Sequence, residues 1–258
     1  MDLKIKDELF IVAGAGSGLG RGVAQALLRE GARIIAIGRD PSKLDNLAME
    51  HPEQVEIYVA DVFMSDGLDD LYSRVGDRKL SGMLVNAGGP PAKSFIETEL
   101  ADWDEAYNSL LRWKIKLIKM FLPRLISQEY GRIVLIESSA VKQPVENLVL
   151  SNSIRLAVVG FVKTLSQEVA GKGVTLNILA PGFHDTPAVE RLFVKRSENE
   201  GITVEEARRR FEAEILMGRM GNPGDFGSLA AWLLSPLSGY ITGQTISVDG
   251  GFIKGTMG

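Results

Sequence analysis

One alternation, repeated down the chain, restricts the fold more than any other feature. Short β-branched runs are followed by longer stretches with helical patterning. LFIVAG precedes a helix opening at Gly18, ARIIAIG a helix opening at Pro41, and VEIYVAD a polar helix; SGMLVNAG, GRIVLIES, GVTLNILAPG and QTISVDGG are the further strand-like runs. Strands that alternate with helices are joined by crossovers, so the pattern predicts a doubly wound α/β fold: a parallel sheet with helices on both faces. With 258 residues, 45% of them hydrophobic, the chain can bury one large core, and a single domain over residues 1–258 is expected. The one insertion-like stretch, residues 187–217, follows the sixth strand. In it Thr203 and Glu206 have capping-box spacing, and Val204, Ala207, Phe211 and Ile215 recur at helical intervals. This predicts a helix docked by one apolar stripe and acting as a lid.

Composition removes several functional classes. A net charge of −4 with dispersed Lys and Arg argues against nucleic acid. No window reaches the roughly 18 uncharged apolar residues of a membrane span, and MDLKIKDELF lacks the apolar region of a signal peptide, so a cytoplasmic protein without a membrane partner is expected. With no Cys and two His, neither a thiolate nucleophile nor a metal site is expected.

VAGAGSGLGRG follows the first strand and opens a helix, with Gly14, Gly18 and Gly20 spaced so that backbone N–H groups can approach a pyrophosphate at the positive helix end. About 20 residues on, the second strand ends in AIGRD, where an NAD-selective site usually places an acid on the ribose 2′-hydroxyl. Gly38 and Arg39 stand there instead. A guanidinium pairs with phosphate, so the spacing favours NADP(H), with NAD possible.

With these pieces in place, the chain resembles the short-chain dehydrogenase/reductase family over nearly its whole length. The resemblance rests on the glycine loop, ADV at Asp61, NAG at Asn86, GRIVLIESS ending at Ser138 and Ser139, APGFHDT at Pro181, MGRMGNPGD and ITGQTISVDGG. It implies a seven-stranded parallel sheet. Gly14, Ser17, Gly18, Leu19 and Gly20 would line the phosphates, Asp61 and Val62 would bracket adenine, Asn86, Ala87 and Gly88 would support the cofactor, and Pro181, Gly182 and Thr186 would hold the nicotinamide. Ala13 replaces the family's usual Thr before the first Gly. The resemblance also implies a homotetramer or homodimer built on the helices near residues 113 and 150.

The same resemblance exposes a break. The family transfers hydride with an Asn, a Ser, a Tyr and, four residues later, a Lys. Taking Ser138 as the serine places the tyrosine at Ser151 and the lysine at Arg155, and none of the five tyrosines has Lys four positions on. Leu110 falls at the Asn position, with Asn108 two residues away. A serine hydroxyl is a far weaker acid than a phenol, and a guanidinium keeps its proton. Arg155 can grip the ribose, but the proton path is broken or rerouted. Replacement acids to consider are His184, Lys142, Glu137, Glu146 or water. LLRWKIKLIKMF, with Arg112, Lys114, Lys116 and Lys119, reads as a solvated charged helix face. The expected activity is NADP(H)-dependent interconversion of a small-molecule carbonyl and a secondary alcohol, with Ser138, Ser151 and Arg155 at the reaction centre. The alternative is a cofactor-holding sensor or assembly subunit without turnover.

Overall fold

The computed structural model describes residues 1–64, 66–86 and 88–256. All seven strand-like runs form strands: β1 Leu9–Ala13, β2 Arg33–Gly38, β3 Val55–Val59, β4 Leu80–Val85, β5 Gly131–Ile136, β6 Val174–Pro181 and β7 Thr245–Val248. They make one parallel sheet in the order β3-β2-β1-β4-β5-β6-β7. After β3 the chain returns to the centre and pairs β4 with β1. The loops leaving the carboxyl ends of these two strands therefore run to opposite sides, which opens a crevice between them.

Successive strand residues point to opposite faces, so a strand buried on both sides must be apolar throughout. In β1, Leu9, Ile11 and Ala13 enter one core, while Phe10 and Val12 enter the other. Helices α1 (Gly18–Arg29), α2 (Pro41–Glu50) and α9 (Pro223–Leu234) cover the second core; α3 (Leu71–Val75), α5 (Trp113–Ser127) and α6 (Val149–Val169) cover the first. Each fully buried phenylalanine, such as Phe10, Phe121 and Phe226, contributes roughly 1.5–3 kcal/mol through removal of its ring from water. Helix α4 (Leu100–Tyr107) runs into α5 through a π-helical turn at Asn108–Arg112.

The stretch 187–217 holds two helices, where the apolar spacing predicts one. Helix α7 (Pro187–Glu200) starts at the N-cap Thr186, has Pro187 in its first turn and stops at Gly201 with φ 62°. It buries only Phe193, so it offers almost no periodic signal. Helix α8 (Val204–Glu214) is the predicted one. Its Thr203 hydroxyl accepts from the Glu206 N–H at 3.1 Å, but the Glu206 carboxylate turns to Arg209 and Arg210, so only half of the capping box forms. Of the predicted stripe, Ala207, Phe211 and Ile215 pack with Phe193, Phe183 and Met220, while Val204 faces solvent.

Candidate functional site

The glycine loop packs tightly against the end of β4. Gly14 has φ 72°, and a Cβ there would stand 2.6 Å from Asn86 Nδ2; a Cβ on Gly20 would stand 2.1 Å from the Gly14 carbonyl oxygen. No other residue type fits either position. Ser17 precedes α1 in extended conformation without capping it, and the first turn carries no acid, so the helix N–H groups and the positive dipole end face the crevice. A cavity of about 420 Å³ opens there, lined among others by Gly14, Ser17, Gly18, Leu19, Arg39, Asp61, Val62, Asn86, Gly88 and Thr186. Ten of the sequence-predicted residues thus meet around one space. Gly20 lies beneath the loop, Pro181 and Gly182 stand at the end of β6 outside this lining, and Ala87 lies outside the described residues. An elongated dinucleotide bearing several phosphate charges fits this cradle: close backbone approach at the glycines, helix N–H groups, and cations at one end.

Those cations are Arg39 and a second one that the spacing did not single out, Lys43 in the first turn of α2. Arg39 lies open to solvent, with its guanidinium 5.8 Å from the Phe63 ring centroid and 4.0 Å from Asp61 Oδ2. Lys43 Nζ is 3.3 Å from Asp40 Oδ2. Asp40 also faces this cavity, but its carboxylate is turned to cap α2, accepting from the Ser42 N–H at 3.1 Å, and the Ser42 hydroxyl bond holds its pKa below the usual carboxylate range. This carboxylate at the cavity edge is therefore already engaged.

Outside this lining, Ser138 leaves β5 half-buried, its Oγ accepting the Ala140 N–H at 3.1 Å. Ser151 and Arg155 share a face of α6, four residues apart. Arg155 Nε donates to Ser151 Oγ at 3.1 Å, and its Nη1 donates to Glu137 Oε2 at 2.9 Å. Lys114 donates to the other carboxylate oxygen of Glu137. The side chains of Lys114 and Glu137 are fully buried, and that of Arg155 nearly so, so one carboxylate is flanked by two cations in the dry interior. Burial pushes the Lys114 ammonium below its ordinary pKa, with Arg155 adding to this and Glu137 opposing it.

This cluster corrects two expectations. Lys114 does not belong to a solvated face: Arg112 and Lys119 are exposed and Lys116 meets Asp69, but Lys114 turns inward just after the π-helical residues. An extra residue in a helical turn rotates every later residue about the helix axis, which period counting does not register. Glu137, considered above as a replacement acid, is the interior anion between two cations. The signal available in the sequence was its position at the end of GRIVLIE, where an acid demands a buried partner.

The remaining candidates separate by place. His184 is buried, its Nδ1 3.2 Å from the Gly182 carbonyl oxygen and its ring edge-on to Phe226; burial lowers its pKa, so it stands neutral at pH 7 as a packing residue. Asn108 Oδ1 accepts from Arg112 Nη1 at 3.3 Å, and Leu110 is buried. Lys142 is half-buried, whereas Glu146 is exposed beside a second, outer cleft of about 690 Å³ between the 92–97 loop and α7.

The sequence and the fold have counterparts among known proteins. A family model described as enoyl-(acyl carrier protein) reductase matches residues 14–253. The 3-oxoacyl-[acyl-carrier-protein] reductase of Thermotoga maritima is 28% identical over 256 residues, covering 97% of this chain and all of that protein. A Beutenbergia cavernae protein described as a putative NAD(P)-dependent gluconate 5-dehydrogenase, solved with bound NADP, superposes with a TM-score of 0.87 at 29% identity, over 98% of this chain and 99% of that one. The L-sorbose reductase of Gluconobacter frateurii shares the fold with a TM-score of 0.93 at 22% identity, over 99% and 100% of the two chains. A family match over nearly the whole chain, on a sheet of this order with the glycine loop at its switch point, means that the chain belongs to the short-chain dehydrogenase/reductase family of oxidoreductases.

Proposed function

We propose that the protein interconverts a small-molecule carbonyl and a secondary alcohol with NADP(H), using a reaction centre in which the family's tyrosine and lysine are replaced by Ser151 and Arg155. The general oxidoreductase assignment follows from the family. NADP(H) as cofactor is supported by the Beutenbergia relative with bound NADP and by Arg39 and Lys43 at the adenosine end of the cavity. The observation that carries the reading of the reaction centre is the Arg155 guanidinium shared between Ser151 and Glu137.

The cofactor, when bound, supplies or accepts the hydride. The protein's part concerns the substrate oxygen. Ser138 and Ser151 each accept a hydrogen bond from within the protein, from Ala140 N–H and Arg155 Nε respectively, so the proton of each hydroxyl is left to point at a ligand oxygen. As a carbonyl is reduced, negative charge develops on its oxygen. Two hydroxyl donors and the adjacent guanidinium, which keeps its proton, stabilise that charge in a site of low dielectric. The proton that completes the alcohol then comes from solvent water. His184, buried and neutral, and Glu137, held between two cations, are not placed to supply it. We further propose a homodimer or homotetramer: α6 is apolar in composition, yet only six of its 21 residues are buried within the chain, and Leu156 stands exposed on it.

The test is a screen of ketones and secondary alcohols at several pH values, followed by nicotinamide absorbance, in wild type and Ser138→Ala. Turnover of some substrate that falls at least tenfold in the variant is the expected result. NADPH binding without turnover anywhere in the screen, unchanged by the substitution, would instead indicate a cofactor-holding sensor or assembly subunit.

A further inference from the structure

The segment 187–217 carries five arginines, and four are matched with carboxylates: Arg196 with Glu200 and Glu214, Arg208 with Asp185 and Glu212, Arg209 with Glu206, and Arg210 with Glu200 and Glu206. Arg191 is the exception. Among the described residues its side chain has neither an ion-pair nor a hydrogen-bond partner, and it lines the dinucleotide cavity together with Pro187 and Ala188 of the same helix. The start of α7 lies over the glycine loop: a Cβ on Gly18 would be 3.5 Å from the Thr186 side chain. Arg191 therefore stands on the side of the cavity formed by the start of α7 and the N-terminus of α1. Arg39, Lys43 and Phe63 form the adenosine end.

We infer that Arg191 is a phosphate ligand of the bound dinucleotide, directed at the pyrophosphate rather than at the 2′-phosphate. An arginine excluded from a dense local ion-pair network, on a helix whose first turn forms the cavity wall, is poised for an anion that the protein itself does not supply. Pyrophosphate oxygens held by the N–H groups of α1 are within the region that this turn covers, and guanidinium donors match their geometry. Further along α7, Leu192, Lys195 and Asn199 line the outer cleft, as does Glu146. A phosphate contact at Arg191 thus fixes the helix that walls that cleft, so cofactor binding shapes the cleft. The lid expected from the sequence is then closed by phosphate charge and not only by its small apolar stripe.

This inference rests on the proposed dinucleotide function, and calorimetric titration separates the two. Wild type, Arg191→Ala and Arg191→Lys are titrated with NADPH and with NADH, and hydrogen exchange is followed over residues 187–200 with and without each cofactor. Arg191→Ala is expected to weaken both cofactors by a similar factor, about tenfold, equivalent to ~1.4 kcal/mol. Lys at 191 should restore part of the loss, and the cofactor-induced protection of residues 187–200 should disappear in the Ala variant. A loss confined to NADPH would reassign the contact to the 2′-phosphate and overturn the inference. So would wild-type affinities, or unchanged protection, in the Ala variant. If wild type binds neither dinucleotide, the cofactor reading itself fails and takes this inference with it.

Discussion

Glu137→Gln tests the buried cluster most sharply, because it removes one charge and almost no volume. In wild type the carboxylate meets Arg155 at 2.9 Å and Lys114 on its other oxygen, with both partners out of water. At an effective dielectric of about 20, each ion pair at ~3 Å is worth roughly 5–6 kcal/mol of Coulomb attraction before the desolvation of the charges is subtracted. Removing one partner of such a buried pair usually costs about 3–5 kcal/mol, because the remaining charge is stranded. Here two cations are stranded, but one has an escape, since Lys114 is already pushed toward its neutral form by burial and by Arg155. The expected loss is therefore near the lower end, about 3 kcal/mol, or roughly 6–12 °C in Tm for a chain of this size. The pH dependence arises from that escape. Without Glu137 the folded-state pKa of Lys114 falls further below its unfolded value near 10.4, so the unfolded chain binds more protons across that interval, and stability rises with pH until the unfolded lysine titrates. Lys114→Met alone leaves a neutral Arg155–Glu137 pair and should cost less than Glu137→Gln. Thermal denaturation at pH 7 and pH 9.5 for the three proteins decides the matter. A Glu137→Gln protein within about 1 kcal/mol of wild type, with a flat pH response, would refute a buried charged cluster.

Three further outcomes are expected. Arg39→Ala should weaken NADPH about tenfold or more while leaving NADH nearly unchanged, as a charge-assisted phosphate contact of ~1.5–3 kcal/mol requires; equal losses for both cofactors in a binding titration would remove Arg39 from the selectivity site. The double change Ser151→Tyr with Arg155→Lys should lower turnover, because a phenol crowds the space that the substrate oxygen shares with Ser151; ketone reduction that appears only in this variant would mark the wild-type site as vacated. Because burial lowers the His184 pKa, that residue favours the fold above pH ~6.5 and loses its contribution as pH falls below that value; the drop in Tm between pH 7.5 and 5.5 should shrink in His184→Gln, and an unchanged drop would show that the buried ring is not the group responsible.

Local information in the sequence determined the sheet. Each strand is a short β-branched run, those at the centre of the sheet are buried on both faces, and each of the helices from Gly18 and Pro41 opens at its predicted residue, so seven strands and the glycine loop were legible without any tertiary contact. Gly14 and Gly18 were legible from the glycine spacing, whereas Asn86 and Thr186 came only from the resemblance to the family; all four lie in the segments that leave the carboxyl ends of β1, β4 and β6, the edge where a doubly wound sheet opens. Helix α7 was not legible, because a helix that buries only Phe193 has almost no periodic stripe to read. Nor was the destination of its Arg191, which depends on where that helix lies against the glycine loop. The interior cluster was decided by tertiary structure alone. Lys114 lies 23 residues from Glu137, and Glu137 lies 18 residues from Arg155. Whether each charge met water or another charge depended on a π-helical turn before α5 and on β5 ending between α5 and α6. Charge patterning along one helix records the spacing of cations but not which of them faces inward, because that orientation is set by the packing of several elements at once.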